Sequence, residues 1–268
     1  VIIFPRQSGK NELQAQIESY LLAVCSVVPA EIVKISPTWK PQSQNAMRRL
    51  QRVLEKSLVL KSRWQKESGY IYRVDKARVY FFSGQPESSI VGATASTLLE
   101  VDEAQDVLID KYDKEIAPMA ASTNATRVFW GTAWTSETLL AREMRLARTA
   151  EREDGVRRLF ILDASQVAAE IPEYGKFVNL QVSRLGRQHP LVRTQYYSEE
   201  IDSEAGMFPP ERRALMSGEH SPSISPVPDR LYAFLMDVAG EDESASDLPR
   251  LDLQGDDGVA SGLLANPA

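Results

Sequence analysis

Disulfide frameworks, cysteine-built metal sites and membrane-spanning helices are all closed to this sequence. Among 268 residues there are one cysteine, Cys25, and two histidines. That excludes both a disulfide scaffold and a multi-cysteine zinc site, and sets the expectation of a reducing, intracellular setting. No run of about 18 apolar residues occurs and no basic-then-apolar leader opens the chain, so the sequence predicts neither a membrane span nor a secretion signal. The expectation is a soluble, cytoplasmic protein with no membrane partner. A positive surplus is missing as well. With 31 Lys and Arg against 37 Asp and Glu, the net charge is -6, and any contact with nucleic acid has to be a local patch. What is present is a 43% hydrophobic content, enough for one sizeable core and a smaller appended domain.

The apolar pattern alternates between strand and helix periods. VIIF (1–4) reads as the end of an apolar strand whose domain would have more upstream, and Leu13, Ile17, Leu21 and Val24 follow at the spacing of an amphipathic helix. EIVKI (31–35) predicts a strand, and Met47, Leu50, Val53, Leu54 and Leu58 mark a helix. YIYRV (70–74) and ARVYFF (77–82) predict a hairpin through Asp75 and Lys76. STLLEV (96–101) suits a strand buried on both faces. A helix over 107–120, a strand at TRVFWGT (126–132), a helix over 136–150 and a strand at VRRLFIL (156–162) complete an α/β core with a mostly parallel sheet over 1–165. Short helices dominate 166–217, including FPPERRALM (208–216), and read as a helical lid. Residues 218–229 lie in a stretch rich in proline and serine and read as a linker, followed by the apolar strand LYAFLMDV (231–238) and an aperiodic Asp, Gly and Ser tail.

FPRQSGKN (4–11) sits at the first strand-to-helix junction. A phosphate-binding loop, G-x-x-x-x-G-K-[ST], works because backbone N–H groups and a helix N-terminus face the phosphates, with lysine on the β and γ groups and a hydroxyl on magnesium. Here Phe4 stands for the first glycine and Asn11 for the hydroxyl residue, so the bland alternative is a helix that starts after a glycine. LLEVDEAQD (98–106) supplies the complement: Asp102 can hold the water shell of a magnesium ion and Glu103 can orient an attacking water. WGTAW (130–134) ends the next strand and puts Thr132 beside the terminal phosphate. Ligands of open α/β sheets bind at the carboxyl ends of the strands, where all three pieces fall. Together they predict a phosphate-binding NTPase that uses Mg2+.

These motifs resemble those of the large terminase subunits of tailed double-stranded DNA phages. PRQSGKN is similar to their variant Walker A loop, LLEVDEAQ to their Walker B with its catalytic glutamate, and WGTAW to their coupling motif. HPLVRTQYYSEEIDSEAGMFPPERRALM (189–216) resembles the segment closing their ATPase half, and LYAFLMDVAGEDE (231–243) the first strand of their RNase H-like nuclease. The resemblance implies a P-loop ATPase of RecA/ASCE type that takes ATP with Mg2+, an ATP-driven motor that moves viral DNA into a procapsid and cuts it. It also implies partners: double-stranded DNA, the portal protein and the small terminase subunit. A homo-oligomeric ring would form on the portal in the cytoplasm of the bacterial host, from a chain that is monomeric alone.

Carried over residue by residue, the resemblance assigns Arg6, Gln7, Ser8, Gly9, Lys10 and Asn11 to ATP, Lys10, Asp102 and Glu103 to catalysis, Thr132 to coupling and Asp102 to magnesium. Asp237 would be the first metal ligand of a nuclease half (230–268) that appears truncated, with Glu241 and Asp242 weaker candidates, and no DNA cleavage is expected of it. The place of the family's trans-acting arginine finger reads Val91-Gly92, so the finger either comes from elsewhere, with Arg73, Arg78 and Arg127 as candidates, or is lacking. Trp39 suits packing or stacking on a base, and Arg48, Arg49, Arg52 and Lys56 suit a solvated face or DNA phosphates. A superfamily 2 helicase and a non-catalytic terminase remnant remain the alternatives.

Overall fold

Alternation of buried faces, rather than any single long element, builds the sheet. The computed structural model describes residues 1–90 and 92–201. Val91, the segments 208–216, 218–229 and 231–238, and the acids Asp237, Glu241 and Asp242 lie outside the described residues. In chain order the elements are β1 (Ile2–Ile3), α1 (Lys10–Val24), β2 (Ala30–Ser36), α2 (Gln44–Lys56), β3 (Trp64–Glu67), β4 (Ile71–Val74), β5 (Ala77–Ser83) and β6 (Leu98–Val101). There follow α3 (Ile109–Lys111), β7 (Thr126–Gly131), α4 (Leu139–Asp154), β8 (Phe160–Ile161), α5 (Ala164–Glu170), α6 (Pro172–Leu185) and α7 (Pro190–Tyr197).

The strands form one sheet in the order β3-β4-β5-β2-β6-β7-β1-β8. From β5 to β8 every pairing is parallel, and β3 and β4 extend it antiparallel. Parallel strands put all their carboxyl ends on one edge, so the turns after β1, β6 and β7 are neighbours. β7 sits between β1 and β6, the two strands that carry the loop at 5–11 and the Asp102-Glu103 pair.

Two cores cover the two faces. Ile32, Leu98, Val79 and Phe81 pack with Leu22 of α1 and Met47, Leu50 and Leu54 of α2. Val33, Ile35, Leu99 and Val101 point the other way, against Tyr112, Ile116, Leu139, Leu140 and Met144. β6 is buried at all four positions, as its unbroken apolar run predicts for a strand covered on both sides.

Four expectations need correction. The helix over 107–120 is a one-turn α3 followed by tight and wide turns through Ala120; Pro118 cannot donate within that stretch and closes a 3-10 turn. The strand over 156–162 shrinks to Phe160–Ile161. β3, polar in sequence (WQKE) and half exposed, was invisible to an apolar pattern. Most consequentially, the expected apolar stripe of α1 is not its buried face: Leu13 is 40% and Val24 58% exposed, while Ile17 and Leu21 are only half-buried. The face turned to the sheet carries Lys10, Gln14, Ala15, Glu18, Ser19 and Leu22.

Candidate active site

Gly9 caps α1 with φ 96° and ψ 4°, a left-handed conformation that glycine adopts without steric cost, and Lys10 is the first helical residue. Gln7 is also left-handed, at φ 63°, so the chain turns twice before entering the helix. The Ser8 hydroxyl closes this turn by donating to the Pro5 carbonyl at 2.6 Å. Arg6 is held from above. Its N–H donates to the Gln195 carbonyl at 2.7 Å, its carbonyl accepts from the Tyr174 hydroxyl at 2.8 Å, and its guanidinium donates to Gln195 Oε1 at 3.2 Å.

Across the strand edge, Lys10 Nζ donates to Asp102 Oδ1 at 2.8 Å and to Glu103 Oε1 at 2.7 Å. Two segments 92 residues apart are thereby joined by one buried ammonium. Burial alone would lower the Lys10 pKa, but the Asp102 and Glu103 carboxylates outweigh it and the net shift is upward. Burial pushes Asp102 up, yet Lys10, Lys34 and the hydrogen bonds from Lys10 and Gln14 hold it below its usual value. Glu103 has φ 45° and ψ 51°, an unfavourable conformation for a glutamate that persists only where surrounding contacts fix it.

Gln105 does part of that fixing. Its amide nitrogen donates to Glu103 Oε2 at 2.9 Å, and its oxygen accepts from the Thr132 N–H at 3.2 Å. Thr132 is buried at the end of β7, so the β6 and β7 turns are linked through one side chain. Gly131 makes room for it: a Cβ there would collide with Gln105 Oε1 and with Leu140 Cδ2.

Beneath Lys10 runs a second set of charges that motif reasoning missed. Lys34 on β2 pairs in register with Glu100 on β6, and both face α1, as does Asp102 two residues on. Helical spacing puts Lys10, Gln14 and Glu18 on the opposing face. Lys34 Nζ donates to Glu18 Oε1 at 2.6 Å and Gln14 Oε1 at 3.0 Å and lies 3.8 Å from Glu100. Gln14 Nε2 in turn donates to Asp102 Oδ1 at 2.8 Å. Lys34, Glu18 and Glu100 are essentially fully buried. Burial drives the Glu100 pKa well up, and a neutral Glu100 can donate to Glu18, whose Oε2 otherwise has no partner. The signal available in sequence was a lysine between Val33 and Ile35 in EIVKI and polar residues four apart on α1.

A cavity of 880 Å³ opens over these groups. Its lining includes every loop residue from Arg6 to Asn11, together with Glu103, Gln105 and Thr132. Asp102 lies behind the wall, in contact with Lys10. The far wall is α2, through Asn45, Arg48, Arg49 and Arg52. Trp39 does not line the cavity; it packs beside the α1/α2 core. Among the described residues no cluster of three or more His, Cys, Asp or Glu is arranged for a metal. A single buried aspartate would fit a magnesium ion that arrived with a nucleotide's phosphates, whose oxygens would supply the remaining ligands. No described helix is long and apolar enough to cross a membrane.

No protein-family model matches the sequence, and no curated protein sequence matches it either. Solved structures do. The large terminase ATPase domain of Thermus phage P74-26 superposes with a TM-score of 0.59 at 16% identity, covering 74% of this chain and 87% of that one. The large terminase of bacteriophage HK97 gives a TM-score of 0.62 at 15% identity over 74% of this chain, but only 46% of its own length. The large terminase of a thermophilic bacteriophage in complex with ADP gives 0.51 at 14% identity, covering 73% and 47%. The chain thus spans under half the length of the whole large terminases it matches. At these identities the likeness is one of architecture, and it establishes that the chain has the P-loop α/β fold of large terminase ATPase domains.

Proposed function

We propose that the chain is the ATP-hydrolysing part of a phage DNA-packaging motor. The observation that carries this reading is the convergence of Lys10 on Asp102 and Glu103 at 2.8 and 2.7 Å, at the carboxyl edge of a parallel sheet. The loop amides and the N-terminus of α1 would receive the polyphosphate, with Lys10 moving from the carboxylates onto the β and γ groups. Arg6 adds positive charge at the cavity wall, and Gln7 and Ser8 shape the turn. Asp102 would hold magnesium, the Asn11 amide oxygen would accept from a water bound to it, and the ion would neutralise phosphate charge. Glu103, freed by Lys10, orients water in line with the terminal phosphate and accepts its proton. Gln105 carries any change at Glu103 to Thr132 and so to β7.

The partners that go with this reading are double-stranded DNA, the portal protein and the small terminase subunit, in a ring at the procapsid portal within the host cytoplasm. The ADP complex among the fold relatives supports the choice of nucleotide. The test is MgATP hydrolysis. Lys10→Ala should abolish turnover, and Glu103→Gln should keep nucleotide binding while losing hydrolysis. A Glu103→Gln variant that turns over ATP at the parent rate overturns the assignment.

A further inference from the structure

The expected substitutes for an arginine finger are far from the site within the same chain. Arg127 is the second residue of β7, and Arg78 the second of β5, paired in register with Arg73. All three stand toward the amino ends of the parallel strands, away from the loop at 5–11. Arg73 and Arg78 are also engaged by Glu67, at 2.8 and 3.3 Å. Besides Arg6 of the loop, the arginines lining the cavity come from α2. Arg48, Arg49 and Arg52 line the volume that the loop lines from the opposite side.

Their state differs along the helix. Arg49 is tied to Glu12, in the first turn of α1, at 3.1 Å. Arg48 reaches only the neighbouring Asn45 side chain, at 3.4 Å, and Arg52 forms no ion pair among the described residues. Apolar Met47, Leu50, Val53 and Leu54 fix the opposite face of α2 in the core, so residues 48 and 52, one turn apart, are directed outward over the cavity. α2 follows β2, which lies beyond β6 from β1. The arginines therefore stand on the Asp102-Glu103 side, where the terminal phosphate of a nucleotide held by the loop would lie.

We propose that Arg48 and Arg52 form a phosphate-binding wall that contacts, in cis, the terminal phosphate of the nucleotide held by the loop at 5–11. The inference rests on the ATPase reading. Planar guanidinium groups match phosphate oxygens in pairs, and charge spread over the transferred phosphoryl group is what such groups stabilise. A DNA phosphate has the same chemistry, but a shared cavity with the loop favours the nucleotide.

The test compares equilibrium binding of ATPγS and ADP, each with magnesium, to the whole chain and to Arg48→Gln/Arg52→Gln. The expected result is an ATPγS affinity lower by about tenfold or more, with ADP affinity within about twofold and the melting temperature unchanged. The Arg48→Lys/Arg52→Lys variant should recover part of the loss. Equal losses for ATPγS and ADP overturn the proposal, since the groups would then not be reading the terminal phosphate. Unchanged ATPγS affinity with weakened binding of duplex DNA overturns it in favour of a DNA contact. A parent chain that binds no nucleotide overturns this inference and the ATPase reading together, whereas intact parent binding with indifferent variants removes this inference alone.

Discussion

Replacing Lys34 by methionine removes a charge while keeping a long, unbranched side chain, so it isolates the electrostatics of the seam under α1. Two hydrogen bonds are lost, the 2.6 Å bond to Glu18 and the 3.0 Å bond to Gln14, and the ammonium 3.8 Å from Glu100 is removed. Breaking a buried pair by deleting one partner costs about 3–5 kcal/mol. A second route gives the same size: holding a carboxyl of ordinary pKa neutral at pH 7 costs about 3.7 kcal/mol, at about 1.4 kcal/mol per pH unit. We expect a loss of about 4 kcal/mol, equivalent to roughly 8–16 °C in melting temperature for a domain of this size. Urea and thermal unfolding followed by circular dichroism at pH 7 measure it. Adding Glu18→Gln removes the stranded charge, and the double variant should regain at least half of the loss. A single variant within about 1 kcal/mol of the parent would refute the claim that these charges are interdependent.

Glu100 gives a pH signature. Its folded pKa is raised by burial, so above an unfolded value of about 4.3 the native state keeps a proton that the unfolded chain has lost, and stability falls by about 1.4 kcal/mol per pH unit until the folded pKa is passed. Glu100→Gln lacks that slope, so its advantage over the parent in urea midpoint should widen from pH 5 to pH 7; parallel curves would contradict a neutral Glu100. Gly131→Ala should displace Gln105 and Leu140, costing about 1–3 kcal/mol and up to about 100-fold in ATP turnover through a misplaced Glu103. Nucleotide affinity should hold, and turnover at the parent rate would show that Gln105 does not position the glutamate. Gln14→Leu should leave Asp102 with one donor fewer and raise the magnesium concentration needed for half-maximal turnover; an unchanged requirement would exclude Gln14 from orienting that carboxylate.

Legibility in the sequence followed contiguity. The loop at 5–11, Asp102-Glu103 and Thr132 each sit in a short peptide whose residue types carry their chemistry, and the parallel sheet follows from the strand-helix alternation that places them. The charged seam was illegible because Lys34, Glu100 and Gln14 belong to three elements, and each reads alone as an isolated polar residue in an apolar stretch. The same blindness displaced the inner face of α1: apolar spacing marked Leu13, Ile17, Leu21 and Val24, whereas the buried set is Lys10, Gln14, Ala15, Glu18, Ser19 and Leu22, held to the sheet partly by ion pairs. The α2 arginines were visible as a face, but a helical period does not reveal what the face looks at. β3 escaped because an edge strand half exposed to water needs no apolar residues.

The segment from α6 through α7 to Ile201 is fastened to the strand edge at two separated points. Tyr174 and Gln195 hold Arg6 on one side, and on the other the Ile201 N–H donates to the Trp134 carbonyl at 3.0 Å, just past β7. A segment fastened at both banks of a gap acts as a strut, and the distance between its fastenings sets the gap's breadth. If closing on a phosphate draws the loop at 5–11 toward Thr132, the strut must tilt or let go of one fastening. Tilting turns a sub-ångström change at the phosphate into a larger sweep at the distal end of α6, as a short arm drives a long one, so the gearing of such a motor would be set by where Tyr174 and Ile201 are pinned.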